Sequence, residues 1–463
     1  MDFDLLIIGS GPGGYVAAIR ASHLKMKVAV VEKAELGGVC LNWGCIPTKS
    51  LLKSARVFDY LTHASDFGIV AGDGFRADFG AIIARSRSVA EGMSKGVQFL
   101  FRKNNITHIM GFGRLAGSNI VEVEDETGKK TSYSAANIIV ATGARSKELP
   151  GLKQDGNMII GYREAMTPAG QPASMVVVGS GAIGCEFADF YGTLGTEVTL
   201  VEFLPRIVPN EDEEISKQLE RAFRKRKIRV LTGSSVESAQ IAGDKCIVSV
   251  KTPGGIETIE SDVVLSAAGV VPNTEGIGLE EAGVKTDKGK VVVDEFYRSS
   301  VTGIYAIGDI VHGPALAHVA SAEGIICAEK IAGMNPDPLD YNNIPACTYT
   351  SPEIASCGLT EAAAKEAGYD IKVGKFPFTA SGKASASGSR EGFVKLVFDA
   401  VYGEVLGAHM IGEGVTEMIS EIVVARKLET TAYELIKSVH PHPTMSEAIM
   451  EAAAAAMDEV IHL

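Results

Sequence analysis

The chain has 463 residues, 46% hydrophobic and 22% charged, with a formal charge of −13 and no basic block, which excludes a nucleic-acid footprint. No uninterrupted apolar run reaches about 18 residues, so no membrane-spanning helix is expected, and the length implies roughly two to four domains. The seven cysteines follow no framework spacing, which suits a reducing setting, the cytoplasm or an organelle in already processed form, in which any disulfide is functional.

Fifty-one glycines and only 6% aromatics suit many tight strand-to-helix turns and an α/β fold. The opening "MDFDLLIIGSG" enters a strand at once, so no leader is expected in the chain as given. A strand-turn-helix-strand unit runs from Asp4 to Glu32 with Gly9, Gly11 and Gly14 in the turn. It recurs 170 positions on, from Ser174 to Glu202, with Gly179, Gly181 and Gly184. In such a turn the first glycine bends the chain, the second lets backbone approach a pyrophosphate, and the third lets helix and strand pack closely. The terminal acids Glu32 and Glu202 stand where a carboxylate accepts hydrogen bonds from an adenosine ribose. At Glu202 a 2′-phosphate would meet like charge, which favours NAD over NADP, although Arg206 follows four residues on.

Between these acids lies "GGVCLNWGCIPTK", with Cys40 and Cys45 five positions apart. On a regular helix their Cα atoms would be about 8.6 Å apart, beyond the roughly 4.4–6.8 Å of a disulfide. The pair can therefore close only through distorted backbone, which Gly44 and Pro47 permit. A structural staple would close too short a loop to matter. A zinc site lacks a second pair of ligands, so no metal is expected. Two buried free thiols or a redox pair remain, and Lys49 is one candidate to lower a thiol pKa.

Further along, "ATGAR" at Thr142 and Gly143, "DVVLSAAG" ending at Gly269 and "YAIGD" at Asp309 each read as a strand ending in small residues at the carboxyl edge of a parallel sheet. Segment boundaries are expected at 1–147, 148–272, 273–341 and 342–463, the third returning to the first fold. The last has strands such as "FVKLVFDA" and "VLGAHMIG", amphipathic helices and no phosphate loop, and reads as an interface domain. Near its end, "HPHPTMSE" holds His442 on a stretch stiffened by prolines, with Glu447 five residues later to orient the ring as a general base. Thr444 or Ser446 is expected to cap the helix that follows.

Taken together, "GSGPGGYVAAIRA", "GGVCLNWGCIPTK", "ATGAR", "GSGAIGCEFA", "YAIGD", "LAHVASAEG", "YTSPEIASCGLTE" and "HPHPTMSE" resemble, in order and over essentially the whole chain, the flavoprotein pyridine nucleotide-disulfide oxidoreductases. The resemblance is to those members that oxidise dihydrolipoyl groups. It implies two Rossmann-like folds, for FAD and NAD, plus a C-terminal α+β dimerisation domain. It also implies a Cys40–Cys45 disulfide in which Cys40 exchanges with substrate and Cys45 makes the charge-transfer contact with flavin. The FAD set it implies is Gly9, Gly11, Gly14, Glu32, Lys33, Lys49, Gly113, Thr142, Gly143, Ala144, Asp309 and Ala315, Leu316, Ala317 and His318. The NAD set is Gly179, Gly181, Gly184, Glu186, Glu202, Val236 and Gly269. Lys49 is expected to pair with Glu186, and His442 with Glu447 to serve the partner subunit's disulfide. A homodimer and a lipoyl-bearing carrier of a 2-oxo acid dehydrogenase complex or glycine-cleavage system are the implied partners. Two departures are "GVVPNT", where many relatives carry an arginine, and Pro441, where alanine is usual; activity is expected to survive both. The rival readings are an NADPH-dependent reductase of another small disulfide, disfavoured by Glu202, a mercuric reductase, and a flavin-bound structural subunit, which leaves Cys40, Cys45 and His442 unexplained.

Overall fold

In the run Phe3–Ile8 every residue but the exposed Asp4 is apolar and buried, so both faces of the strand are covered. Leu5 and Ile7 of this strand, β1, pack with Ala17, Ala18 and Ala21 of α1 (Pro12–His23). Leu6 and Ile8 point the other way, onto Leu115, Val121 and Val123. Such two-sided burial marks the interior of a parallel sheet. In this computed structural model, which describes residues 1–72 and 74–463, β1 lies between β2 (Val28–Glu32) and Lys130–Val140. Thr107–Met110 and Ile304–Ala306 flank them, all five parallel. The N-terminal half of Lys130–Val140 continues as an antiparallel meander with Ile120–Glu124 and Phe112–Leu115. The helix Ala317–Ile331 crosses α1 closely enough that a Cβ on Gly324 would stand 2.6 Å from the Gly13 carbonyl oxygen.

Contacts divide the chain into two units. The first joins Met1–Leu51, Gly80–Lys147 and Val270–Leu339; the second joins Leu52–Phe79, Glu148–Gly269 and Asp340–Leu463. The expected 1–147 segment is therefore not all of one unit. Residues 52–79 go with the second, where the Phe79 ring lies 6.2 Å from that of Phe190 and 6.1 Å from that of Tyr191. The Tyr60 hydroxyl there donates to Glu413 Oε1 at 3.3 Å.

In the second unit Ser174–Val178 lies between Glu197–Val201 and Val263–Ser266, with Arg229–Leu231 and Ile159–Ile160 outside them, again all parallel. The sequence repeat holds at the level of single hydrogen bonds. Gly9 N–H donates to Val31 O at 2.8 Å, and Gly179 N–H donates to Val201 O at 2.8 Å. Residues 340–463 add a five-stranded antiparallel sheet in the order Ala346–Thr348, Glu353–Gly358, Val405–Gly412, Phe393–Asp399, Ile371–Pro377. Its two central strands are buried at every position, including Lys395 and His409. Val394, Leu396, Ala408 and Met410 pack with Ile419, Ile422 and Ala452 from the helices Val415–Lys427 and Glu447–Ala456. Among the described residues no helix is long and apolar enough to cross a membrane.

Just before the helix Glu213–Lys225, Glu211 is 8% exposed and its Oε2 has no hydrogen-bond partner. Burial pushes its carboxyl up to about 7, a hydrogen bond with Ser356 opposes this, and the neighbouring charge of Asp212 adds to it. A carboxyl whose native pKa lies above its unfolded value of 4.5 holds its proton more tightly when folded. Its contribution is fully present below 4.5 and is lost as pH rises through about 7. Glu211→Gln is therefore expected to stabilise the protein at pH 8, by about 3 kcal/mol, and to give a much smaller gain at pH 5. Melting midpoints at the two pH values check this.

Candidate active site

The cysteine stretch folds as two helices broken at one residue. α2 (Gly38–Trp43) ends at Gly44, whose φ of −149° and ψ of −117° interrupt the helix, and α3 (Cys45–Thr62) starts on the second cysteine. A Cβ at Gly44 would sit 3.0 Å from Val39 O, so a side chain there would press on the turn that brings Cys40 and Cys45 together. Thr48 secures the restart, its hydroxyl donating to Gly44 O at 2.7 Å. Both cysteines are half-buried. A hydrogen bond with Cys45, then burial, then negative charge on Cys45 push the Cys40 thiol up, while Lys49 opposes them.

Three successive residues of α4 (Phe79–Lys103) hold this stretch from outside, and sequence reasoning missed all three. Arg85 Nη1 donates to Ser50 O at 2.9 Å and to Ser50 Oγ at 2.8 Å. The Ser86 hydroxyl donates to Pro47 O at 3.0 Å, and Arg87 Nη2 donates to Asn42 O at 2.6 Å. The Arg87 guanidinium also lies 4.3 Å from the Trp43 ring centroid, a cation–π contact that gives the chain's only tryptophan a place.

The two glycine turns divide their labour alike. A Cβ on Gly9 would stand 2.3 Å from Ala141 O and one on Gly179 2.6 Å from Ala267 O, where strand meets strand. One on Gly14 would meet Gly9 O at 2.0 Å and one on Gly184 would meet Gly179 O at 1.9 Å, where helix meets turn. At Gly11 and Gly181 nothing lies within 4 Å. The helices they open, and Ala317–Ile331 behind Ala315 and Leu316, have no side-chain cap, leaving their first N–H groups for another acceptor. An open cradle facing uncapped helix starts fits a dinucleotide pyrophosphate. Gly181→Val is accordingly expected to fold with its flavin and to bind NAD⁺ at least about tenfold more weakly, by calorimetric titration. Gly184→Ala, with no room for a Cβ, is expected to destabilise the protein instead.

Glu32 Oε2 accepts from Ser10 N–H at 2.9 Å and from its hydroxyl at 2.7 Å, and Oε1 accepts from Lys33 N–H at 2.8 Å. Glu202 repeats this with Ser180 at 2.9 and 2.6 Å and with Leu204 N–H at 2.7 Å. Arg206 is turned back onto Pro209 O at 3.0 Å. Asp309 accepts no hydrogen bond from the chain among the described residues, and burial raises its carboxyl, so a polyhydroxylated ligand finds an acceptor there. The Thr142 hydroxyl donates to Asn273 O at 2.6 Å, beside Gly143, which has open space around it, and Ala144, which is buried. Lys33 Nζ lies 5.7 Å from the Phe112 ring centroid. Gly113 faces inward, where a Cβ would stand 3.0 Å from Val31 Cγ1, and so has a packing reason of its own. His318 stands in the first turn of Ala317–Ile331. Val236 pairs with Val250 in the antiparallel ribbon, and Gly269 has a φ of +105° with open space around it.

In the second unit Glu186 is 4% exposed and accepts from Tyr349 N–H at 3.0 Å. The His442 side chain is 77% exposed and its Nδ1 lies 2.9 Å from Glu447 Oε1. Burial pushes Glu447 up, but the Thr444 N–H on its other oxygen at 2.8 Å and the His442 contact outweigh it and hold the carboxyl below its usual range. The expected caps do not form: the Thr444 hydroxyl donates to Pro441 O at 2.8 Å and Ser446 makes no side-chain cap. Glu447 instead ties down the preceding loop at Thr444 N–H and contacts the imidazole with the same carboxylate. His440 is used differently, with Nε2 2.8 Å from Glu421 Oε1, which raises its pKa.

Residues 3–324 match the model of the pyridine nucleotide-disulphide oxidoreductases, and residues 344–453 match the dimerisation domain of that family. The chain belongs to the pyridine nucleotide-disulphide oxidoreductase family. It is 48% identical over 464 residues to the dihydrolipoyl dehydrogenase of Zymomonas mobilis subsp. mobilis, covering 99% of each chain. It is 47% identical over 476 residues to that of Rhizobium etli, again 99% of each, and 46% identical to that of Mycobacterium leprae over 97% of each. LpdA from Mycobacterium tuberculosis superposes with a TM-score of 0.91 at 29% identity, covering 97% of this chain and 98% of that one. The HOCl-induced flavoprotein disulfide reductase RclA of Escherichia coli shares the fold alone, with a TM-score of 0.88 at 24% identity over 98% of this chain and 99% of that one. Both glycine turns and the cysteine pair fall within the first matched stretch, residues 3–324, and His442 and Glu447 within the second, residues 344–453.

Proposed function

We propose that the chain is a dihydrolipoyl dehydrogenase, oxidising dihydrolipoyl groups on a carrier protein with FAD in the first fold and NAD in the second. The observation that carries this is the Cys40–Cys45 pair at the break between α2 and α3, close beside the first glycine turn: a Cβ on Gly38 would stand 2.7 Å from Gly11 Cα. The full-length likeness to curated dihydrolipoyl dehydrogenases supports it.

In the proposed cycle His442 takes a proton from one substrate thiol, with Glu447 holding the ring. The substrate thiolate attacks Cys40 Sγ of the Cys40–Cys45 disulfide; the new bond is substrate sulfur to Cys40, and Cys45 leaves as thiolate. The second substrate thiol, on losing its proton, attacks the substrate sulfur bound to Cys40, closing the lipoyl disulfide and releasing Cys40. The substrate has lost two electrons and the cysteine pair has gained them. FAD, when bound, supplies the step that accepts those electrons and delivers them as hydride to NAD⁺. Lys49 opposes the rise of the Cys40 pKa, while the hydrogen bond with Cys45 keeps that thiol protonated. One proton per turnover leaves through the imidazole, which is 77% exposed on the single chain. We assign that imidazole to the cysteine pair of a second copy, so the active form is a homodimer, and place the enzyme in the cytoplasm with a lipoyl-bearing carrier of a 2-oxo acid dehydrogenase or glycine-cleavage system.

Anaerobic addition of dihydrolipoamide to the yellow holoenzyme, followed by NAD⁺, tests this. Bleaching and then stoichiometric NADH is the expected result. Turnover with NADPH and glutathione disulfide, and none with NAD⁺, overturns it.

A further inference from the structure

Lys395 is 3% exposed in the middle of an antiparallel strand, yet its Nζ reaches both Asp212 oxygens at 3.1 Å, Glu214 Oε2 at 3.0 Å and Glu361 Oε2 at 2.8 Å. Lys375 and Lys365 close the set on Glu214 and Glu361 at 2.6 and 2.7 Å, so three ammonium groups balance three carboxylates. A buried ion pair is seldom the most stable filling for its volume; what it fixes that an apolar side chain cannot is a position. The position fixed here is that of Asp212, which also caps the helix Glu213–Lys225 by accepting from Glu214 N–H. From Asp212 the chain runs ten residues back to Glu202. Glu211 N–H donates to Val208 O at 2.9 Å, and Val208 N–H donates to Ser180 O at 3.1 Å. Ser180 lies between Gly179 and Gly181, and its own N–H and hydroxyl hold Glu202. Val208 spans the two anchors with a φ of +39°, a left-handed conformation that a β-branched residue adopts only when its surroundings impose it.

We infer that Lys395 is a positioning residue for NAD: by pinning Asp212 it holds segment 203–212 in its strained form, and through Val208 and Ser180 it sets the glycine turn and the ribose-binding carboxylate. The C-terminal sheet thereby takes part in nucleotide affinity, from a position more than 190 residues away in sequence. The inference rests on reading the second glycine turn as the NAD site.

The test is calorimetric titration of oxidised holoenzyme with NAD⁺, alongside flavin content and the rate of anaerobic reduction by dihydrolipoamide. Lys395→Met is expected to weaken NAD⁺ binding about tenfold while the other two readouts stay at wild-type values. Asp212→Asn, which keeps the helix cap and loses the ion pair, is expected to do the same should the lysine variant fold poorly. Lys395→Arg is expected to recover part of the affinity. Lys375→Met, at the exposed rim of the set, is expected to bind NAD⁺ normally. Affinities within twofold of wild type in both Lys395→Met and Asp212→Asn overturn the inference, as does a parallel fall of NAD⁺ affinity, flavin content and reduction rate. A wild-type holoenzyme that binds no NAD⁺ overturns the reading of the site itself, and the clamp with it.

Discussion

Cys40→Ser is expected to lower dihydrolipoamide oxidation by about 10⁴-fold or more while the flavin stays bound, because the substrate thiolate is left with no disulfide to attack. The half-buried site and the neighbouring glycine turn give serine, which is smaller and neutral, no reason to disturb the fold. Cys45→Ser is expected to be equally inactive, but for a different reason: the sulfur that must leave when the substrate thiolate attacks Cys40 is gone. The two variants separate by alkylation. Under reducing conditions, Cys45→Ser should leave Cys40 without the hydrogen-bonded neighbour that raises its pKa, so iodoacetamide should modify Cys40 faster than in the reduced wild-type dithiol. Measurable turnover above a few per cent of wild type in Cys40→Ser sinks the assignment of the exchange step.

The second large effect is expected at His442. Removing a positioned general base costs typically about 10²–10⁴ in rate, and His442→Ala should fall in that range for dihydrolipoamide with little change in NAD⁺ affinity. The pH profile distinguishes catalysis from packing. Glu447 is held below its ordinary value of 4.5, chiefly by the Thr444 N–H and the His442 contact acting against burial. A depressed carboxyl contributes above its unfolded pKa and fails only as pH falls through its lower folded value, so Glu447 is ionised throughout the assay range above pH 5. An acid limb of kcat/KM above pH 5 therefore does not belong to Glu447, and His442→Ala should lose that limb along with the rate. Glu447→Gln should keep the limb at a rate about tenfold lower, since it frees the ring without removing it. An acid limb unchanged in His442→Ala would assign the base elsewhere.

The glycine turns were legible because a turn of this kind leaves a spacing, and two copies at identical spacing fixed both acids. Cys40, Cys45 and Gly44 were legible because a regular helix cannot bring residues five apart into contact. Arg85, Ser86 and Arg87 were not legible, because basic and hydroxyl residues on a long helix read as a solvated face and nothing local records what that face meets. For the same reason Trp43 had no assignment until Arg87 came to lie 4.3 Å from its ring. Lys395 and His409 sat inside runs whose period announced strands without revealing that both faces were covered. Thr444 and Ser446 look like caps, yet neither caps the helix, and the Glu447 carboxylate instead reaches the Thr444 N–H and the imidazole together.

The parallel sheet of the first unit is completed by Ile304–Ala306, which pairs with Ile138, Ile139 and Val140. Everything between belongs to other elements, including the whole second glycine fold. At ribosomal rates of about 5–20 residues per second, the closing strand is made roughly 10–30 s after the edge it must cover. For that interval the edge of Lys130–Val140 is unpaired, and unpaired edges recruit other chains. A protein whose mature chemistry depends on keeping two thiols in order thus spends its synthesis with an open sheet edge, and the yield of active enzyme should depend on translation speed and on holdase chaperones before the chemistry begins.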